Sequence, residues 1–352
     1  MSYTKLVIFA VICILLIGAV HLLKLKRSNG EVLPIVTMAT DSQLQKPVET
    51  NSLGTPVKIS QKNGERFSYP SGSYSETLKA ADGLTRSYLI HVPVGYDPKN
   101  EYSLVVALHG GFGSGESMEK QTRMSDLADK NGFIVVYPDG VANANGVRAW
   151  NAGNCCGAPS KNNVNDVGYI RQLVASLEST YSVDTKKVFA MGMSNGAMLS
   201  NRLACEASDV FAAVAPVSGT PQVAACNPKR PIPILMVHGT SDAIVPFNGG
   251  VGTSFVTKDN PFISVVQALS DWSGRNKCFG KEVVTSIPPL TNDGITVDKI
   301  MYSGCVAETI LYRINGGTHS WPGGTQARAQ ESAAPSQSFD ASETIWTFFS
   351  SL

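Results

Sequence analysis

Residues 188–199 read Val188-Phe189-Ala190-Met191-Gly192-Met193-Ser194-Asn195-Gly196-Ala197-Met198-Leu199. The first four residues form a short apolar run that predicts a buried strand, and from Gly196 to Cys205 the pattern predicts a helix. Between them stands the order G-x-S-x-G, which places a serine on a sharp strand-to-helix turn. Such a turn crowds the backbone, so side chains at its two flanking positions would collide with neighbouring elements, and glycine fits both. Ser194 is therefore expected at a helix N-terminus, where positive dipole character favours developing negative charge.

Working outward, short apolar strands alternate with helical stretches. Leu104–Leu108 precedes a helix expected around Ser117–Lys130, and Phe133–Tyr137 precedes one over Asp166–Tyr181. Downstream, Ala212–Val217, Ile234–Val237 and Thr309–Ile314 read as core strands, with helices expected at Phe262–Arg275 and Ser342–Phe349. An Asp82-Gly83 turn before Ser87–Val92 suggests an opening hairpin. This β-α alternation predicts an α/β fold, a mostly parallel sheet with helices on both faces. No internal repeat and no second domain is read.

A serine hydroxyl is a poor nucleophile near neutral pH and needs a base, for which histidine is the usual choice. His21 lies in an apolar leader, His91 inside the opening strand, and His109 and His238 at strand ends. That leaves His319, in the glycine-rich loop Asn315-Gly316-Gly317-Thr318-His319 after the last core strand. The orienting carboxylate is expected at Asp242, in HGTSD after the Ile234–Val237 strand, giving the chain order Ser, Asp, His. Asp166 is the rival, but it precedes the serine and opens a helix, so capping is its simpler role. LHGGFGSG after Leu104–Leu108 offers unencumbered amides for an oxyanion: Asn195 N–H with the N–H of Gly111 or Phe112. Trp150 and Trp321 are expected to bind substrate, Trp321 as an aromatic wall beside the base.

The 29 basic and 28 acidic residues leave a net charge of +1, so no long-range field draws nucleic acid. No cysteine or histidine spacing suits a zinc site, and no metal or cofactor is expected. Leu6–Leu23 is an apolar leader about 18 residues long. Residues 1–27 are read as a signal peptide or signal anchor, a possible membrane tether. No A-x-A site follows, and the basic run Lys24, Lys26, Arg27 lies on the side opposite to the positive-inside rule. Residues 28–71, rich in small and polar residues, read as a flexible linker, and residues 72–352 as the catalytic domain. Beyond Cys13 in the leader, six cysteines remain, an even set that suits disulfides outside the cytosol. The pairing expected is Cys278 with Cys305, and Cys155 and Cys156 each with one of Cys205 and Cys226.

The motifs LHGGFGSG, RAWNAGNCCG, NDVGYI, VFAMGMSNGAMLSNRLAC, FAAVAPVSG, HGTSD and GGTHSWPGG occur in that order between Tyr74 and Leu352. Together they resemble the polyhydroxybutyrate depolymerase and feruloyl esterase family of α/β-hydrolase-fold enzymes. The resemblance implies an extracellular or periplasmic serine esterase without metal or cofactor, with Ser194, Asp242 and His319 at the triad positions. Its substrates would be hydroxyalkanoate oligomers, or feruloyl and acetyl esters of polysaccharide, and a monomer is expected. Two alternatives stay open: a serine peptidase on the same fold, and a hydrolase-like protein that only binds ligand.

Overall fold

Apolar runs too short for helices become the central strands of one sheet. The computed structural model describes residues 70–254, 257, 260–326 and 334–352. The leader and nearly all of the linker lie outside the described residues. Among the described residues no helix is long and apolar enough to cross a membrane.

The sheet has ten strands. At its centre, side by side and parallel, run β4 (Ile134–Pro138), β3 (Tyr102–Leu108), β7 (Val183–Met193), β8 (Ala213–Val217), β9 (Ile234–Gly239) and β14 (Thr309–Asn315). Antiparallel pairs flank this block. The opening hairpin, β1 (Gly72–Lys79) with β2 (Thr85–Val92), joins beyond β4, and β13 (Thr296–Tyr302) then β12 (Glu282–Ile287) extend the sheet beyond β14. Gly83, at φ +85, supplies the left-handed residue that the hairpin turn needs.

Because strand side chains alternate, the central strands feed two apolar cores. Leu104, Val106, Leu108, Val188 and Ala190 point to one. There they meet α4 (Asp166–Thr180), α5 (Asn195–Glu206) and α6 (Val265–Arg275) through residues such as Leu173, Leu203 and Trp272. Val105, Ala107, Phe189 and Met191 point to the other, against α1 (Gly115–Thr122), α2 (Met124–Asn131) and α7 (Ala341–Ser350). Helices cover both faces, as the α/β alternation requires.

Two expectations are corrected, and one part of the sheet was not foreseen. The helix expected around Ser117–Lys130 is two helices, because Arg123 is left-handed at φ 53 and ends α1 by donating its N–H to Glu119 O at 2.8 Å. The β12–β13 extension escaped the sequence reading: every residue of β12 but Ile287 is exposed, so no buried face patterns it. Cys155 and Cys156 do not reach Cys205 or Cys226. They pair with each other, in a loop folded back on Trp150, while Cys205 at the end of α5 pairs with Cys226. The Cys278–Cys305 pair is as expected.

Closing a loop of 21 residues, Cys205–Cys226 restricts the unfolded chain. Replacing both cysteines by alanine is expected to cost about 2–4 kcal/mol, read as a lower denaturant midpoint. Peptide mapping without reduction should recover Cys205 joined to Cys226; a cross-link from either to Cys155 would refute the pairing.

Candidate active site

The turn after β7 is built on close approach. A methyl on Gly192 would stand 2.5 Å from the Gly196 carbonyl, and one on Gly196 would strike the carbonyl oxygens of Leu108 and His109. Both glycines are therefore steric requirements, one for the turn and one for packing α5 against β3. Ser194 sits between them at φ 54, ψ −117, a strained conformation held by its N–H donating to Val217 O at 2.9 Å. Its side chain is partly exposed at the C-terminal edge of the sheet.

Two strands along, Asp242 follows β9 with its carboxylate fully buried. Oδ1 accepts from the Ile244 and Val245 amides, both at 2.9 Å. Oδ2 accepts from His319 Nδ1 at 2.8 Å and lies 3.3 Å from His238 Nε2. His238 donates that same Nε2–H to Val245 O at 2.8 Å and is buried, so it braces the carboxylate from within the fold. Burial alone would push the Asp242 carboxyl up; the charge of His319 and the hydrogen bonds from His238 and His319 outweigh it and hold the group well below the usual carboxylate range.

The loops that carry Asp242 and His319 are laced together. Thr240 N–H donates to Ile314 O and Ser241 N–H to Gly317 O, each at 2.9 Å, and Gly316 N–H donates to Thr240 Oγ1 at 2.8 Å. With Nδ1 committed to Asp242, the histidine presents Nε2 as a free lone pair. Among the described residues neither Nε2 of His319 nor Oγ of Ser194 has a hydrogen-bond partner. Ser194, Asp242 and His319 thus follow β7, β9 and β14 at one edge of the sheet.

Of the expected oxyanion donors, Gly111 and Asn195 keep amides without a protein acceptor among the described residues. Phe112 does not: its N–H donates to Arg148 O at 2.8 Å. The Asn195 side chain has its own task, which the sequence did not reveal. Its Oδ1 accepts from Trp150 N at 2.7 Å and its Nδ2 donates to Trp150 O at 3.1 Å.

Neither tryptophan forms a substrate wall, because both are fully buried. Trp150 Nε1 donates to His109 O at 2.9 Å, tying the loop before Gly111 to the loop that grips Asn195. His109 accepts from Gly140 N at Nε2, so its Nδ1 carries the proton and donates to Gly110 O at 2.7 Å. Trp321 packs in the second core and donates to Ser342 Oγ at 2.9 Å. Asp166 is not a cap either; Asn165 caps α4, accepting from Gly168 N at 2.9 Å. Buried Asp166 pairs with Arg86 and accepts from Asn151 N, next to Trp150, at 2.7 Å.

The family model described as "Esterase PHB depolymerase" matches residues 86–227, which hold the HGG loop, the CC loop and the serine turn. Over these residues the chain is similar to the PHB depolymerase esterase family. The chain is 30% identical over 246 residues to feruloyl esterase B of Piromyces equi, covering 67% of this chain and 42% of that one. It is 27% identical over 321 residues to the putative esterase NocK of Nocardia uniformis subsp. tsuyamanensis, covering 85% of this chain and 90% of that protein. The chain therefore spans less than half of the first relative and most of the second. Among solved structures, acetyl xylan esterase from Aspergillus awamori superposes with a TM-score of 0.54 at 17% identity, over 79% of this chain and 99% of that one. The shared architecture is the α/β-hydrolase fold.

A depressed carboxyl contributes stability above its unfolded pKa of about 4, and that contribution is lost as pH falls towards the lower folded value. The stability gap between wild type and Asp242→Asn is therefore expected in full at pH 5–6, and should narrow as pH drops below about 4. Denaturant melts across this range check it; a gap that widens in acid would contradict the ionised, donor-satisfied state.

Proposed function

We propose that this chain is an exported serine esterase that hydrolyses carboxylic esters through an acyl-enzyme. One observation carries the reading: the buried Asp242 carboxylate holds His319 by Nδ1 at 2.8 Å, leaving Nε2 to act as base at the edge where Ser194 is presented. The family-model match over residues 86–227 and the esterase names of the relatives support it. Feruloyl or acetyl groups on polysaccharide, and hydroxyalkanoate oligomers, are the substrate classes to test. The apolar leader and three disulfides support export.

In this mechanism Ser194 Oγ attacks the ester carbonyl carbon while His319 Nε2 takes the hydroxyl proton. Asp242 keeps the ring in the required tautomer and stabilises the imidazolium. The tetrahedral oxyanion accepts from the Gly111 and Asn195 amides, the latter also at the N-terminus of α5. Collapse breaks the bond to the alcohol oxygen, which leaves with the proton from His319 Nε2. Water, deprotonated by the same nitrogen, then attacks the acyl carbon; as its bond to Ser194 Oγ breaks, His319 Nε2 returns that proton to Oγ and the acid is released.

With p-nitrophenyl acetate as substrate, Ser194→Ala is expected to lower kcat by at least about 10³-fold. His319→Ala should act similarly, because it removes the base that takes the Ser194 proton. Wild-type rates retained by Ser194→Ala would end the proposal. Trp150→Phe removes the donor to His109 O and should lower kcat about tenfold with little change in KM, because it loosens oxyanion donors that act in the transition state. A change confined to KM would instead place Trp150 in ground-state binding.

A further inference from the structure

At the edge of the sheet where β9 begins, opposite to the catalytic edge, the segment before β9 meets the end of α6 around a cavity of about 280 Å3. Cys226, Asn227, Lys229, Arg230, Arg275 and Lys277 line it, with two prolines and no acidic residue. Four of these side chains are cationic, on a chain whose net charge is only +1. Among the described residues Lys229 alone of the four has an ion-pair partner, Asp209 at 2.9 Å, which it shares with Arg171. Hydrogen bonds from Arg171 and Lys229 hold the Asp209 carboxyl well below the usual carboxylate range, so its one negative charge is already committed.

The other three cations keep their charge. Arg230 donates to Pro231 O at 3.1 Å and to Phe211 O at 2.7 Å, and Arg275 Nε donates to Cys226 O at 3.1 Å. Main-chain oxygens orient a guanidinium without neutralising it. Each guanidinium has five N–H donors, and most of these stay without a protein acceptor among the described residues.

Both walls are fixed before any ligand arrives. Cys226 is bonded to Cys205, and Cys278, next to Lys277, to Cys305. Between the walls, Asn276 accepts from Ile232 N at 3.0 Å and donates to Ile232 O at 2.8 Å. Lys277 sits at φ 54, a conformation that glycine adopts more readily, yet the position carries a cation. Like charges held together repel, and an anion placed among them relieves that repulsion without reorganising the walls.

We propose that this cavity binds a dianionic oxyanion group, either phosphate itself or a phosphate monoester. Guanidinium forks match the oxygens of such a group with paired hydrogen bonds. Three unmatched positive charges favour a dianion, since a single carboxylate would leave two of them uncompensated. Cavities that enclose drug-sized molecules begin near about 300 Å3, so this one has room beside the ion for a small organic substituent. Ser194, Asp242 and His319 follow the other ends of their strands, so occupancy is compatible with ester cleavage and independent of the esterase reading.

The test is titration calorimetry on the full, oxidised chain at about pH 8, where a phosphate monoester is dianionic. Inorganic phosphate, glucose 6-phosphate and glucuronate are compared at equal ionic strength. At least one phosphate ligand is expected to bind about tenfold more tightly than glucuronate. Tighter inorganic phosphate identifies the free ion as occupant, and tighter glucose 6-phosphate a monoester. Arg275→Gln should weaken the preferred ligand about tenfold. Lys277→Gly, suited to the left-handed backbone, should weaken it about threefold. Lys120→Gln, on α1 across the sheet, should leave it unchanged. Should Arg275→Gln lose its fold, Arg230→Gln replaces it with the same expectation. No saturable binding of either phosphate, glucuronate bound as tightly, or affinity unchanged in the arginine variant and in Lys277→Gly would overturn the proposal. No turnover is read, so the result stands apart from whether Ser194 is the nucleophile.

Discussion

Taking an ionised carboxylate out of water costs several kcal/mol unless donors replace its hydration. Asp242 meets that condition with two backbone amides, His319 and His238, and the cost explains why its surroundings tolerate so little freedom. Oδ1 is fixed by the turn that follows β9, so the direction of Oδ2 is set before the histidine arrives. His319 then has one orientation that satisfies the carboxylate. Gly239 shows how tightly the two loops must approach: a methyl there would strike the Gly317 carbonyl. Parallel pairing of β9 with β14 delivers both loops to the same edge.

A second constraint holds the other half of the site. The Asn195 side chain makes a two-way amide pair with the Trp150 backbone, much as neighbouring strands would, while its own N–H stays free for a ligand. Trp150 also grips His109 O, so one buried residue registers the HGG loop against the serine turn. Behind it, Asn151 N donates to Asp166, and Asp166 pairs with Arg86. Burial raises the Asp166 carboxyl, opposed by the Arg86 charge and by hydrogen bonds from Asn151 and Arg86. Breaking such a pair would leave a buried charge uncompensated beside the proposed oxyanion donors.

How much of this the sequence disclosed depends on how far each interaction reaches along the chain. The central strands were legible because parallel strands buried on both faces read as unbroken apolar runs, whereas β12, exposed on both faces, has no such signature. The positions of Ser194, Asp242 and His319, the proposed triad, were legible because each follows a core strand in a recognisable local motif. The partner of the Phe112 amide could not, since Arg148 comes from the distant short strand β6 (Arg148–Ala149). The roles of Trp150 and Trp321 were misjudged for a related reason: an aromatic near a catalytic motif reads the same whether it faces substrate or core. Cysteine count gave an even set, but pairing depends on which loops meet, and the fold back at Trp150 is a tertiary fact.

The break in the expected Ser117–Lys130 helix connects to the site by a similar route. Ending α1 at Thr122 releases carbonyls that a continuous helix would have consumed. Thr122 O accepts from Ser342 Oγ at 2.6 Å, and Ser342 Oγ accepts from Trp321 Nε1 at 2.9 Å. Trp321 lies two residues after His319, so the loop that carries the histidine is pinned on one side by Asp242 and on the other through α7 to the end of α1. A residue that interrupts a helix on one face of the sheet thereby supplies an anchor for an imidazole at its edge. The left-handed Arg123 is thus part of what positions His319.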